Sequence, residues 1–100
     1  MTEQPLTVVA RLQAKAEKLE EVRTTLRNLI GPTRAEPGCL SYILHESKDD
    51  PCAFLFVETW RSQADLDAHL DKPYLRALVA QAEEILSAPL DVTMWHAVEA

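Results

Sequence analysis

The chain has 100 residues, 47% of them hydrophobic, which predicts one domain over residues 1–100 with a single compact core. Its net charge is −6 and its ten Lys and Arg residues are scattered, which argues against a nucleic-acid partner, because phosphate binding needs clustered basic side chains. With no apolar run of about 18 residues and no basic leader segment, we expect no membrane partner and a cytoplasmic location.

The first half of the chain reads as a strand, a helix and a strand. Residues 6–14 alternate as a strand does, and apolar residues recur at helical spacing from 16 to about 30. Gly31-Pro32 is expected to interrupt this helix, with room for one more turn before Pro37-Gly38. Residues 39–47 form the second predicted strand.

The second half continues with a strand, two helical runs and a last strand. A polar turn over residues 48–52 leads into a strand over 53–61. Ser62 is a predicted N-cap for a short helix over 64–70, and Pro73 separates it from a helical run over 74–86. Residues 90–98 alternate as a fourth strand.

This β-α-β-β-α-β order is the ferredoxin-like order of an α+β protein. It predicts one four-stranded antiparallel sheet with helices on one face and a bare opposite face. The third strand is apolar on both faces, with Phe54 and Phe56 on one and Leu55 and Val57 on the other. An apolar sheet face is a liability in solution, so we expect a homodimer that pairs the two bare faces.

The two cysteines are expected to be free thiols. Cys39 and Cys52 each begin a strand of the predicted hairpin, so Cys52 lies beside the turn and Cys39 far from it. At roughly 3.3 Å per residue the separation is tens of ångströms, whereas a disulfide needs Cα atoms within about 7 Å.

Four segments together carry a resemblance to a known family. They are EPGCLSY (36–42), DDP (49–51), FVETW (56–60) and LDAHL…PYLRAL (66–78). The chain resembles the antibiotic biosynthesis monooxygenase domain family. The resemblance implies a dimeric α+β barrel of ferredoxin-like subunits. Members of the family include cofactor-free monooxygenases of aromatic quinols, isomerases of a phosphorylated signalling sugar and heme-degrading oxygenases.

His69 is the candidate catalytic residue. It lies beside the apolar stripe of the short helix and matches the DAHL segment of the family. An imidazole there could deprotonate a phenol, and a phenolate gives up an electron to dioxygen more readily than a phenol does. The alternative is a histidine that makes a core hydrogen bond or lies at the wet edge of the stripe.

Three residues of the third strand are candidate substrate contacts. Trp60 and Phe56 could form flat walls of a pocket between sheet and helices, or could be ordinary core aromatics. Glu58 lies on the same face, where a half-buried carboxylate needs a partner. It could pair with an arginine, orient a histidine or reach the rim, and the structural pair is the favoured interpretation.

Two further candidates depend on geometry that the sequence leaves open. Tyr42 and His45 point to opposite faces of the second strand, so the hairpin register decides which of them reaches the pocket. Arg76 follows the break at Pro73 and could hold an anionic substrate, or it could be a solvated helix charge.

No metal or cofactor is expected. The histidines are 24 and 27 residues apart, and the sequence has no CxxC pair, dinucleotide loop or phosphate loop. Heme-degrading relatives use a histidine on the second helix, which His69 matches, but they also carry an asparagine in the first strand. The only asparagine here is Asn28, on the first predicted helix.

Three functions compete at this point. The leading one is a cofactor-independent monooxygenase that oxidises a quinol or another electron-rich aromatic with dioxygen. The second is an isomerase of a small phosphorylated sugar, for which Arg61 and Arg76 would have to bind the phosphate. The third is a non-catalytic dimeric small-molecule-binding protein, which a filled pocket would favour.

Overall fold

The structure is a computed structural model that describes residues 4–99. Its elements in chain order are strand β1 (Leu6–Gln13), a 3-10 turn (Ala16–Lys18), helix α1 (Leu19–Arg34), strands β2 (Cys39–Glu46) and β3 (Ala53–Trp60), helices α2 (Gln63–Leu70) and α3 (Pro73–Ile85), and strand β4 (Asp91–Trp95). The predicted α+β class and element order are confirmed.

The four strands form one antiparallel sheet in the order β2-β3-β1-β4. Alternate residues of the central strands are buried, among them Val8 and Ala10 of β1 and Phe56 and Glu58 of β3. These residues face the helices, because α1 packs on β2 and α2 packs on β3. The helix-facing side of the sheet is therefore the wall on which any internal site must be built.

The prediction that Gly31-Pro32 interrupts the first helix is wrong. Helix α1 runs without a break to Arg34 and contains Pro32 in its last turn. Leu29 and Thr33 are both buried, so packing of this face on the sheet continues past the proline. Pro32 itself is exposed, and Ala35 N–H still donates to Gly31 O.

Strand β4 is shorter than the predicted residues 90–98. It ends at Trp95, which pairs with Thr7 near the start of β1. Beyond that point β1 offers only Leu6 as a further pairing position, so the ladder stops there. Both cysteines are free, as predicted. Within residues 4–99 no helix combines the length and apolar character that a membrane span requires.

The sheet face away from the helices is open in the single chain. Its middle row places Ile43, Val57, Val9 and Thr93 side by side across the four strands. Val9 and Val57 are half-buried, and Ile43 is 47% exposed. Three of these four side chains are apolar, which agrees with the two-sided apolarity that the sequence of β3 predicts.

Gly38 is a point of close approach between the turn after α1 and helix α2. A Cβ atom on Gly38 would lie 2.2 Å from Cγ of Asp65, which is far inside van der Waals contact. Asp65 cannot withdraw freely, because its carboxylate accepts hydrogen bonds from Arg61 and Ser62 at the start of α2. Gly31, by contrast, has nothing within 4 Å of its would-be Cβ.

We expect Gly38→Ala to destabilise the fold by about 1–3 kcal/mol, because the added methyl group must displace Asp65. The control is Gly31→Ala, which should stabilise the helix by about 0.5–1 kcal/mol by lowering the entropy of the unfolded chain. Urea unfolding of the two variants checks this pair. Shifts of the same sign would show that the contact with Asp65 does not limit this position.

Candidate functional site

A small cavity lies between the helix-facing side of the sheet and the helices. Its volume is about 30 Å³. Three of its lining side chains carry polar groups, namely Tyr42, Glu58 and His69. The remaining lining residues are apolar and come from β1, β3 and β4, from all three helices and from the segment before β4: Val8, Ala10, Leu12, Leu29, Phe56, Leu66, Leu70, Leu75, Leu78, Leu90 and Val92.

His69 is held on the cavity wall by a buried carboxylate. It lies in the last turn of α2, is 1% exposed, and its Nδ1 is 2.8 Å from Oε2 of Glu36. Glu36 lies in the turn after α1 and is 9% exposed. Because a carboxylate oxygen only accepts, Nδ1–H donates to Glu36, which leaves Nε2 as the ring nitrogen available to a substrate. Nε2 forms no hydrogen bond with any residue that the structure describes.

Tyr74 completes this buried cluster from the first turn of α3. Its hydroxyl donates to the same Oε2 of Glu36 at 2.5 Å. Burial, the hydrogen bond to this carboxylate and its charge all raise the pKa of Tyr74. Two donors on one oxygen compensate the burial of the Glu36 charge and fix the direction of the His69 ring.

Aromatic rings enclose the imidazole. The Trp60 ring lies 4.5 Å from the His69 ring, centroid to centroid, and the Tyr42 and Tyr74 rings approach it edge-on at 5.7 and 6.4 Å. Tyr42 in turn stacks on Phe56 at 4.5 Å. This packing leaves His69 little freedom to rotate, so its free nitrogen is preorganised.

Glu58 is buried without a cation. It is 4% exposed and accepts a hydrogen bond from Trp60 Nε1–H at 2.8 Å. Among residues 4–99 it forms no salt bridge. Burial raises the pKa of Glu58 to about 7; the Trp60 hydrogen bond opposes this shift and the Glu36 charge adds to it. Burial and the Glu58 charge also raise the pKa of Tyr42.

The structure brings four of the six candidate residues to the cavity wall: Tyr42, Phe56, Glu58 and His69. Tyr42, not His45, faces the helices, because Tyr42 pairs with Glu58 in the observed register. Trp60 is fully buried, but it lies behind the imidazole and is not a lining residue, so the placement of its indole on the pocket wall is wrong.

Two expected partnerships are also corrected. Arg76 does not reach the cavity, because it points outward from α3 and pairs with Asp71, with both side chains about 70% exposed. The favoured arginine partner of Glu58 is absent from the described residues, and the indole of Trp60 takes its place. The role of orienting a histidine, considered for Glu58, is performed by Glu36.

Sequence reasoning assigned no role to Glu36, Tyr74 or Thr33. Glu36 and Tyr74 stand in the EPGC and PYLRAL segments, and that position was the only available signal. The contacts that give them a role join residues 33 and 38 positions apart through two turns. Thr33 is fully buried, and its Oγ1 has no hydrogen-bond partner among the described residues.

Comparison with known families agrees with this architecture. A sequence model of the family described as "Antibiotic biosynthesis monooxygenase" matches residues 5–81. The chain belongs to the antibiotic biosynthesis monooxygenase family. The match extends from β1 through the buried cluster into α3 and ends before the lining residues Leu90 and Val92.

Relatives share the sequence over most of this chain. It is 40% identical over 90 residues to "Putative monooxygenase Rv0793" of Mycobacterium tuberculosis, which covers 90% of this chain and 88% of the relative. It is 34% identical over 95 residues to "Uncharacterized protein sll1783" of Synechocystis sp.. That match covers 95% of this chain but only 65% of the Synechocystis protein.

Solved structures share the fold along nearly the full length. The Pseudomonas aeruginosa protein PA3566 superposes with a TM-score of 0.92 at 29% identity, covering 99% of each chain. The structure of Rv0793 from Mycobacterium tuberculosis gives 0.90 at 35% identity, covering 97% of this chain and 98% of that one. The α+β fold is therefore the fold of the family.

We expect Glu58→Gln to stabilise the protein increasingly as pH rises. The pKa of Glu58 is raised from 4.5 to about 7, so its contribution to stability is present below pH 4.5 and is lost as pH rises to about 7. Glutamine has no charge to bury and keeps the oxygen that accepts from Trp60. Between pH 5.5 and 8.5 the advantage of the variant should grow by about 1–2 kcal/mol.

Urea unfolding at these two pH values measures the change. The control is Glu83→Gln on the exposed side of α3, whose effect should be the same at both pH values. A Glu58→Gln advantage that does not vary with pH would mean that Glu58 is ionised in the folded protein throughout this range.

Proposed function

We propose that this protein is a cofactor-independent monooxygenase that oxidises a quinol or another electron-rich aromatic with dioxygen. One observation carries the proposal. A buried histidine on an apolar cavity has its Nδ1 held by Glu36 at 2.8 Å, while its Nε2 has no hydrogen-bond partner among the described residues. The membership of a monooxygenase family supports the same assignment.

The reaction needs a base and an apolar enclosure. His69 Nε2 accepts the proton of a phenolic hydroxyl, and the Glu36 carboxylate stabilises the imidazolium that forms. The phenolate then gives an electron to dioxygen. Tyr42 and Phe56, stacked on each other, supply a flat wall on the same cavity for the substrate ring.

The cavity must enlarge to admit a substrate. A cavity of roughly 150 Å³ accepts benzene, whereas this one measures about 30 Å³. Leu70 lines the cavity and is also 43% exposed, so its side chain separates the cavity from solvent at the end of α2. We place the entrance there.

The isomerase of a phosphorylated sugar is the weaker hypothesis. Arg61 and Arg76 lie outside the cavity, and they form salt bridges with Asp65 and Asp71. No lysine or arginine of the described chain lines the cavity to bind a phosphate there.

The non-catalytic binding protein is a real alternative, because the small cavity favours it. Its cavity would take up a small ligand, but no oxygen would be consumed. The two functions therefore differ in one direct measurement, which is oxygen uptake by metal-free protein with a panel of quinols.

We expect His69→Ala to lower the rate of quinol-dependent oxygen uptake by about 10²-fold, which is a typical share for general base catalysis. Glu36→Gln should also lower the rate, because its amide group no longer holds a charged imidazolium. The control is His96→Ala, an exposed histidine outside the cavity.

Oxygen electrode traces in the presence of a chelator measure these rates. A wild-type rate that survives in His69→Ala would remove the histidine from the mechanism. The absence of uptake by the wild type with every quinol would favour the binding protein.

We also propose that the protein is a homodimer that pairs the open sheet faces of two copies. The apolar row of Ile43, Val57 and Val9 supports this, since it crosses three adjacent strands and no helix covers it. A stable interface buries roughly 1,200–2,000 Å² in total, and a four-stranded face on each copy is large enough to supply it.

We expect light scattering on the wild type to give twice the chain mass of 11.2 kDa. Val57→Lys should give the monomer mass, because the ammonium group would be buried at the centre of the interface. The control is Val79→Lys, a residue of α3 that is 61% exposed on the helical side. A monomeric wild type at micromolar concentration would overturn the proposal.

A further inference from the structure

The carboxyl group of Glu58 lies in surroundings that favour a neutral acid. The titratable groups that face it are Glu36 from the turn after α1, Tyr42 and Cys39 from β2, and His69 from α2. On β1 its pairing partner is the apolar Val8. An ionised carboxylate without a cation loses several kcal/mol of solvation, so burial favours the protonated form.

The hydrogen bonds of Glu58 leave one oxygen able to donate. Oε1 accepts from Trp60 Nε1–H at 2.8 Å, as the carbonyl oxygen of a carboxylic acid does. Oε2 has no hydrogen-bond partner among residues 4–99. Glu58 and His69 line the same cavity, and Glu58 Oε2 and His69 Nε2 both lack a hydrogen-bond partner among the described residues.

We propose that Glu58 is the catalytic acid of this cavity. It donates a proton to the peroxide oxygen, whereas His69 acts as the base. The inference rests on the monooxygenase proposed above. It assigns opposite roles to two residues on the wall of one cavity, because Glu36 and Tyr74 hold one of them ready to accept a proton, while burial without a cation holds the other ready to give one.

The proton balance of the reaction requires both residues. His69 takes the O–H proton of a phenol, and the phenolate passes one electron to dioxygen. The phenoxyl radical and superoxide then combine into a peroxide, C–O–O⁻, at a ring carbon that bears hydrogen. Glu58 gives its proton to the terminal peroxide oxygen.

The second half of the reaction restores both groups. The C–H proton passes to the Glu58 carboxylate as the C=O bond forms and the O–O bond breaks. The departing hydroxide takes the proton from His69 and leaves as water. Phenol and dioxygen become quinone and water, and all the electrons come from the substrate.

The ionisation of Glu58 can be measured without turnover. Carbon-13 NMR of protein labelled at the glutamate side-chain carboxyl should show one resonance that titrates with a midpoint of about 7. This resonance should be missing in Glu58→Gln and present in Glu83→Gln, which removes an exposed carboxyl group. A Glu58 resonance that titrates below pH 5 would overturn the proposal.

Kinetics tests the acid role. With a quinol that the wild type oxidises, Glu58→Gln should lower kcat by about 10²-fold with little change in KM, because the amide can hold the substrate but cannot transfer a proton. The ratio of wild-type to variant kcat should fall as pH rises above 7, where the wild type loses its acid. This ratio cancels the ionisation of the substrate itself.

The outcomes separate the two proposals. A wild type that turns over and is matched by Glu58→Gln overturns the acid role and leaves the monooxygenase in place. A wild type that oxidises no quinol overturns the monooxygenase and the acid role with it, whatever the NMR midpoint. A lower kcat in Glu58→Gln, with a ratio of wild-type to variant kcat that is constant from pH 6 to 9, would mean that Glu58 only maintains the shape of the cavity. This result overturns its role as an acid.

Discussion

The burial of ionisable groups without lysine or arginine is the constraint on which this site depends. Glu36, Glu58 and His69 are all at least nine-tenths buried between sheet and helices. The Glu36 carboxylate accepts hydrogen bonds from two donors, His69 Nδ1–H and the Tyr74 hydroxyl, which compensate for its lost solvation. Glu58 receives only one hydrogen bond, from a neutral indole, so the proton is its remaining compensation. The surroundings thus compensate the burial of two chemically similar side chains differently, with two donors for Glu36 and one for Glu58.

One strand connects this site to the proposed assembly. Along β3, Phe56 and Glu58 face the cavity, while Leu55 and Val57, which alternate with them, face the open side of the sheet. A slip of one residue in register would exchange the two sets and would expose the carboxyl group to solvent. The same pairing that places Glu58 opposite Tyr42 also places Val57 opposite Ile43 and Val9. The alternation of β3 therefore specifies both its cavity-facing side, which carries Glu58, and the apolar row on its outer side.

The sequence pattern predicted the fold well because alternation marks β1 and helical spacing of apolar residues marks α1 and α3. It also placed His69 beside an apolar stripe. It left open whether Tyr42 or His45 faces the helices, and the observed register shows that Tyr42 does. Pattern could not find the Glu36–His69 contact, because this contact depends on how two turns fold back on each other. It also misplaced Trp60, whose ring contacts the imidazole and not the cavity. Contacts between side chains that are far apart in the sequence depend on the tertiary fold, and periodicity carries no information about them.

The way in which α2 is anchored limits how the small cavity can enlarge to admit a substrate. Its start is fixed by the Ser62 cap, by the salt bridge from Arg61 to Asp65 and by the close approach of Gly38. Its end carries His69, which is tied to Glu36. Opening by movement of the whole helix would break that tie and lose the base. We expect enlargement to occur by rotation of Leu70 together with a shift of the first turns of α3, because both leave the Glu36–His69 contact in place. Tyr74 is the part of the cluster on α3, so its hydrogen bond to Glu36 reports whether α3 has moved. A small opening would suit the proposed oxygenase, because it admits the least water to the proposed radical intermediate.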